Sequence, residues 1–185
     1  IFHKNYNVND FELIDLSISN PDLPNKKGDK KNNKILKPSI SAFNEVRITS
    51  CMNQFDLLDD KDDKSETIHL GFDIFLPDNK EIFMPLDGVV EKIKNNTLNP
   101  ELGASVIIRH KTKNLTFFTL YGNLCTKDIL KIDIGQKLIK GNRISELNKK
   151  NNHKGDTPYL HFQVLTHLID EQVTSMVKPL DRKIW

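Results

Sequence analysis

Cysteine is scarce in this chain: there are two, Cys51 and Cys125, 74 positions apart and outside any CxxC pair. Thiols so placed read as unpaired side chains in a reducing compartment, since a disulfide would need both an oxidising compartment and close Cα atoms. Neither has a suitable base beside it in sequence, which gives a nucleophilic cysteine no support. An excess of one charge is also missing, with 27 Lys and Arg against 25 Asp and Glu and a formal net charge of +2. That balance supplies no electrostatic reason to bind nucleic acid or an anionic membrane. No apolar run approaches the roughly 20 residues of a membrane-spanning helix. The chain opens on Ile1 without a charged-then-apolar leader, so the expectation is a processed or excised piece of a longer protein. Export of such a parent stays open.

What is present suits one domain with an appendage in 185 residues. Hydrophobic residues make up 37%, under the usual share, with the deficit concentrated in residues 20–38 and 56–66. Residues 11–18 alternate and predict a strand. The Lys-rich stretch 20–34 reads as a solvated loop and not a nucleic-acid arm, because no aromatic residue interrupts it for base stacking. The acidic run 56–63 lacks the ordered ligand spacing and turn glycine of a calcium loop. From Thr67 onward, short strands separated by Gly, Pro and Asn predict an antiparallel all-β sandwich or barrel. The expected organisation is residues 1–66 as an N-terminal β segment packed on the main domain, 67–170 as that domain, and 171–185 as a tail with a short helix.

Chemistry concentrates in two stretches. Thr67-Ile68-His69-Leu70-Gly71-Phe72-Asp73 places a His and an Asp four apart. In a straight strand that step covers roughly 13 Å, too far for one ion bound at about 2 Å. The chain must turn between them, and Gly71 tolerates a turn best. In Tyr159-Leu160-His161-Phe162-Gln163, alternation puts Tyr159, His161 and Gln163 on one face. His161 then completes a His/Asp/His set with a fourth position left for water, the composition of a catalytic zinc site. Of the other histidines, His110 closes a hydrophobic strand and reads as packed and hydrogen-bonded, His153 and His167 as surface residues, and His3 as uninformative.

Read in order, His69-Leu-Gly-Phe-Asp73, Met84-Pro-Leu-Asp-Gly-Val-Val90, Thr119-Leu-Tyr-Gly-Asn-Leu124 and Leu160-His-Phe162 resemble the lysostaphin/LytM-type zinc metallopeptidases, peptidase family M twenty-three. The resemblance implies a β-sandwich/barrel-sandwich hybrid and zinc held by His69, Asp73 and His161. The family also places two further histidines around the scissile carbonyl, the first of an HxH strand and the one in Leu-Tyr-Gly-His-Leu. Here those positions hold Tyr159 and Asn123. Tyr, with a pKa near 10, accepts a proton poorly at neutral pH and Asn does not titrate, so the resemblance implies a metal-competent but catalytically degenerate site, a pseudopeptidase. The alternative is an active zinc endopeptidase cutting peptidoglycan-type or Gly-rich peptides. A weaker third likeness, of Pro85–Val90 and Gly135–Gly141 to biotinyl/lipoyl carrier halves, lacks the Lys at a hairpin tip.

A narrower likeness adds Ile14-Asp-Leu-Ser17, Glu45-x-Arg47 and Phe118-Thr-Leu-Tyr-Gly122. It is similar to the peptidase-like module of fusions between an aminoglycoside-phosphotransferase-like kinase and a class-III pyridoxal-phosphate aminotransferase. That implies flanking domains in a parent chain and a cytoplasmic location, with a peptide substrate or ligand and no nucleic acid or membrane partner. If the parent carries a signal peptide, the alternative location is the cell envelope.

Overall fold

Between Gly88 and Leu124 the chain is rich in β-branched and aromatic residues, and it forms three long strands in which each pairs with the next. The computed structural model describes residues 7–20, 35–47, 66–76, 81–95, 102–148, 157–168 and 173–183. Most of the Lys-rich stretch, the acidic run, Cys51, His3, His153 and the turn at 77–79 lie outside the described residues. The strands are β1 (Glu12–Ile14), β2 (Ser39–Ser41), β3 (Ile68–His69), β4 (Phe72–Phe75), β5 (Glu81–Phe83), β6 (Gly88–Asn95), β7 (Ala104–Lys111), β8 (Thr116–Leu124), β9 (Lys137–Leu138), β10 (Arg143–Glu146), β11 (Tyr159–Leu165) and β12 (Met176–Val177). One helical turn, α1 (Thr126–Ile129), follows β8.

Among the described residues, eight strands join in one sheet in the order β1-β2-β4-β11-β8-β7-β6-β9. All neighbours are antiparallel except β1 and β2, which run parallel. Two short ribbons, β5–β10 and β3–β12, accompany it. The fold is all-β and of the sandwich type expected.

Side-chain alternation divides the sheet into two faces with different roles. One carries the main core, where Ile74, Val106, Ile108, Tyr121 and Leu160 pack with Ile82, Met84 and Ile144 from the β5–β10 ribbon and its flank. The other carries a smaller cluster of Leu102, Ile107, Leu120, Leu165 and Val173. His161 and Gln163 alternate onto this second face. Each large side chain fully buried in these clusters is worth about 1.5–3 kcal/mol.

The strand expected over residues 11–18 is shorter, ending at Ile14. Asp15 accepts the Ser17 amide at 2.8 Å through its side chain and the Asn20 side-chain amide through its carbonyl. Such local bonds draw the backbone away from a ladder. In the segment expected as a tail, Met176 and Val177 pair with His69 and Ile68, and residues 179–183 form a 3-10 helix. Two apolar residues are too few to show a strand period.

β2 lies between β1 and β4, and Phe11 and Ile40 pack against the main core. Removing residues 1–40 deletes β1 and most of β2 and strips that cover. Each 1 kcal/mol lost shifts Tm by about 2–4 °C in a chain of this size, so thermal unfolding should show a drop of at least roughly 5 °C. Unchanged Tm and solubility would make the segment a mere tether.

Candidate metal centre

The site begins with a break in a strand. β3 stops at His69 and β4 starts at Phe72, with Gly71 between them at φ +96°, a conformation L side chains rarely adopt. A Cβ at Gly71 would also lie 2.5 Å from both the Phe162 carbonyl oxygen and Gln163 Cγ. The bend brings His69 Nε2 to 3.4 Å from Asp73 Oδ2. Pairing of β4 with β11 sets Asp73 opposite His161, and His161 Nδ1 lies 3.0 Å from Asp73 Oδ1. The two imidazoles meet edge to face, with His69 Nε2 and His161 Nδ1 3.2 Å apart. All three ligand atoms fall within 4.8 Å of one another, and the three residues are at most 5% exposed. The structure brings together the three residues that the sequence singled out.

Their surroundings fix them further. Ser41 Oγ accepts the Asp73 amide at 2.9 Å, and Gln163 Oε1 lies 3.2 Å from His161 Nε2. With Gln163 accepting that proton, the lone pair on His161 Nδ1 faces a carboxylate oxygen. In that tautomer Nδ1 is the ring nitrogen able to accept a metal ion. Burial pushes the His69 imidazole below its ordinary pKa, against the pull of Asp73. Burial alone would raise the Asp73 carboxyl, but hydrogen bonds and charge from His161 and His69 hold it well below the usual carboxylate range. An ionised Asp and a neutral His are the states that bind a metal. His69 Nδ1 is buried with no partner among the described residues.

Two side chains assigned no role from sequence also enter the site. Arg47 donates from Nη1 to Asp73 Oδ2 and from Nη2 and Nε to Glu45 Oε2 at 2.6 and 2.9 Å. Their segment runs beside β3, with the His69 amide donating to the Glu45 carbonyl at 2.9 Å and the Arg47 amide to the Thr67 carbonyl at 2.8 Å. A signal was present in the sequence, since Glu and Arg two apart in an extended stretch share one face.

The two altered positions are placed differently. Tyr159 lies half-buried on the His161 face, its ring 5.3 Å from that of Phe75. Asn123 sits in a bulge: Ala104 pairs with Leu124 but Val106 with Tyr121, so Gly122 and Asn123 oppose one residue and Asn123 takes φ +60°. Bulges of this kind re-aim side chains. Asn123 Nδ2 is buried without a partner among the described residues. Its neighbour Gly122 backs onto the site, since a Cβ there would lie 3.2 Å from His161 Cβ. His110 takes no part: it is buried on β7, with Nδ1 2.8 Å from the Asp87 carbonyl and Nε2 2.8 Å from Thr119 Oγ1. His167 is exposed, and Cys125 is a free thiol ahead of α1.

Residues 67–174, more than half of the chain, match the model of peptidase family M23. The chain belongs to peptidase family M23. Among solved structures, a zinc-containing peptidase from Vibrio cholerae is 28% identical, with 54% of this chain and 27% of that one covered and a TM-score of 0.41. LytU is 23% identical over 60% of this chain and 70% of its own, TM-score 0.43. Lysostaphin is 15% identical over 63% of this chain and 43% of its own, TM-score 0.45. No curated protein matches.

For this M23 domain the bend at Gly71 is a sensitive backbone position. Gly71→Ala combines a strained φ, costing about 1–3 kcal/mol, with contact against β11 backbone. Chemical denaturation should show a loss of about 2 kcal/mol or more. A stability within 0.5 kcal/mol of the parent, roughly the surface-substitution range, would contradict this account of the bend.

Proposed function

We propose that this M23 domain binds one zinc ion through His69, Asp73 and His161 and is catalytically degenerate, serving as a peptide-binding module of a larger protein. The observation that carries the reading is the convergence of two imidazoles and one carboxylate, all buried, within 4.8 Å of one another. The residues fit the ion: the donors are two nitrogens and an oxygen, the preferred set for zinc with an open position. When bound, zinc supplies Lewis acidity toward a carbonyl and activates water.

The chain's own residues account for the degeneracy. A positioned proton acceptor contributes about 10²–10⁴-fold in such hydrolyses, and the two places where the family keeps histidine hold Asn123 and Tyr159. Asn123 can donate a hydrogen bond but cannot take up a proton. Tyr159 packs against Phe75 with tilted rings, and a tyrosine hydroxyl accepts protons poorly at neutral pH. A second reading, slow endopeptidase action on Gly-rich or peptidoglycan-type peptides, draws on Asn123. Its Nδ2, buried without a partner among the described residues, is a donor of the kind that stabilises a developing oxyanion.

The test is metal content and titration of the purified protein. One equivalent of zinc is expected, lost in His161→Ala and in His69→Ala; equal metal content in parent and His161→Ala would sink the assignment. Binding should persist through neutral pH. It should then weaken in acid, because protons displace the metal from His69 only below the ordinary histidine value of about 6.5.

Hydrolysis of pentaglycine or muropeptides should be undetectable or very slow. Asn123→His combined with Tyr159→His should raise it roughly a hundredfold, the low end of general acid–base assistance. The left-handed backbone at position 123 tolerates His as it does Asn. Robust parental turnover, abolished by chelation and restored by zinc, would instead establish the endopeptidase reading.

A further inference from the structure

We propose that Arg47, clamped by Glu45, is a positioning residue for Asp73, so that the metal centre is completed by a segment lying before the family-matched residues 67–174. The inference rests on zinc binding at His69, Asp73 and His161.

The contacts form a chain of restraint. Backbone amides of Leu16 and Ala42 donate to Glu45 Oε1, each at 3.2 Å, so two separate parts of the N-terminal region hold one carboxylate oxygen. The other oxygen takes two Arg47 donors, Nη2 at 2.6 Å and Nε at 2.9 Å. That leaves the plane of the guanidinium little freedom, and its remaining arm, Nη1, reaches Asp73 Oδ2. Side-chain exposure is 14% for Arg47 and 6% for Glu45 and for Asp73, so the geometry is held away from water. Arg suits this role because its fork is planar and rigid.

Two consequences follow for Asp73. With Oδ2 held by Arg47 and 3.4 Å from His69 Nε2, Oδ1 is the oxygen turned toward His161 Nδ1, so the fork fixes the rotation of the carboxylate between the two imidazoles. The Glu45–Arg47 pair is neutral as a unit, so it orients the ligand without adding net positive charge beside a cation. An ion pair that merely pinned residues 39–47 to the sheet would need neither the third donor on Asp73 nor the aligned fork. Partners of this kind typically alter metal affinity 10–100-fold.

The decisive variant is Glu45→Gln with Arg47→Gln, which removes the fork and leaves the net charge unchanged. Zinc titration should show a Kd weakened by about 10–100-fold, and the cobalt(II)-substituted protein should show an altered visible absorption spectrum as the Asp73 contact changes. Arg47→Lys, a point charge that reaches one carboxylate at a time, should fall between parent and double variant. A double variant with lower Tm but with Kd and cobalt spectrum unchanged overturns the proposal and leaves a structural ion pair. If the double variant does not fold, Arg47→Lys decides in the same titration: parental Kd and spectrum overturn the proposal, and a weakened Kd with an altered spectrum supports it. Failure of the underlying zinc reading is separately visible, because the parent would then take up no zinc and His161→Ala would change nothing.

Discussion

A carboxylate buried inside a β-sheet is the constraint on which this structure turns. Asp73 is 5% exposed, and an ionised carboxylate removed from water is costly unless it is paired and hydrogen-bonded. Here its companions come from four parts of the chain: His69 across the bend, His161 from the neighbouring strand, Arg47 from the N-terminal region, and Ser41 on the backbone amide. Each is itself buried or nearly so. Taking away any one leaves charge or polarity unmatched in a dry place, which costs more than the contact alone. The N-terminal segment, the β3–β4 bend and β11 therefore have a common reason to be where they are.

The sheet supplies the rigidity that this arrangement needs. Its main core lies on one face, so the second face is free to carry polar side chains next to a smaller apolar cluster. β11 serves both: Leu160 is fully buried among apolar neighbours while His161 and Gln163 point the other way. A one-residue slip of β11 would exchange these roles, placing two polar groups in the core and two apolar ones at the site. Register along β4 and β8 thus sets both the core and the His69/Asp73/His161 cluster. The bulge at Gly122–Asn123 lies on the other side of β8, in its ladder with β7, and Gly122 pairs with His161.

Charge at the centre is balanced. His69, His161 and Arg47 surround Asp73, and its carboxyl is held well below the usual carboxylate range. If a divalent cation binds as proposed, His69, Asp73 and His161 would hold it. In the proposed reading the same preorganisation does not extend to proton handling, because neither Asn123 nor Tyr159 is a good proton acceptor at neutral pH.

Much of this was legible in residue order alone. A four-residue spacing with glycine inside it required a bend, and strand alternation put His161 on the same face as Tyr159 and Gln163. Those are local rules with short range, so the all-β class, the His69/Asp73/His161 set and the packed role of His110 could be read directly. The pairing of β12 with β3, the early end of the first strand and the positive φ at Asn123 could not, because each depends on which distant segment lies alongside. Glu45 and Arg47 mark the boundary most clearly. Their charges were visible in the sequence, but it is the antiparallel run of their segment beside β3 that carries the guanidinium to Asp73, 26 residues away. Only the folded sheet determines that distance, since hydrogen-bonded pairing between strands fixes which remote side chains share a face.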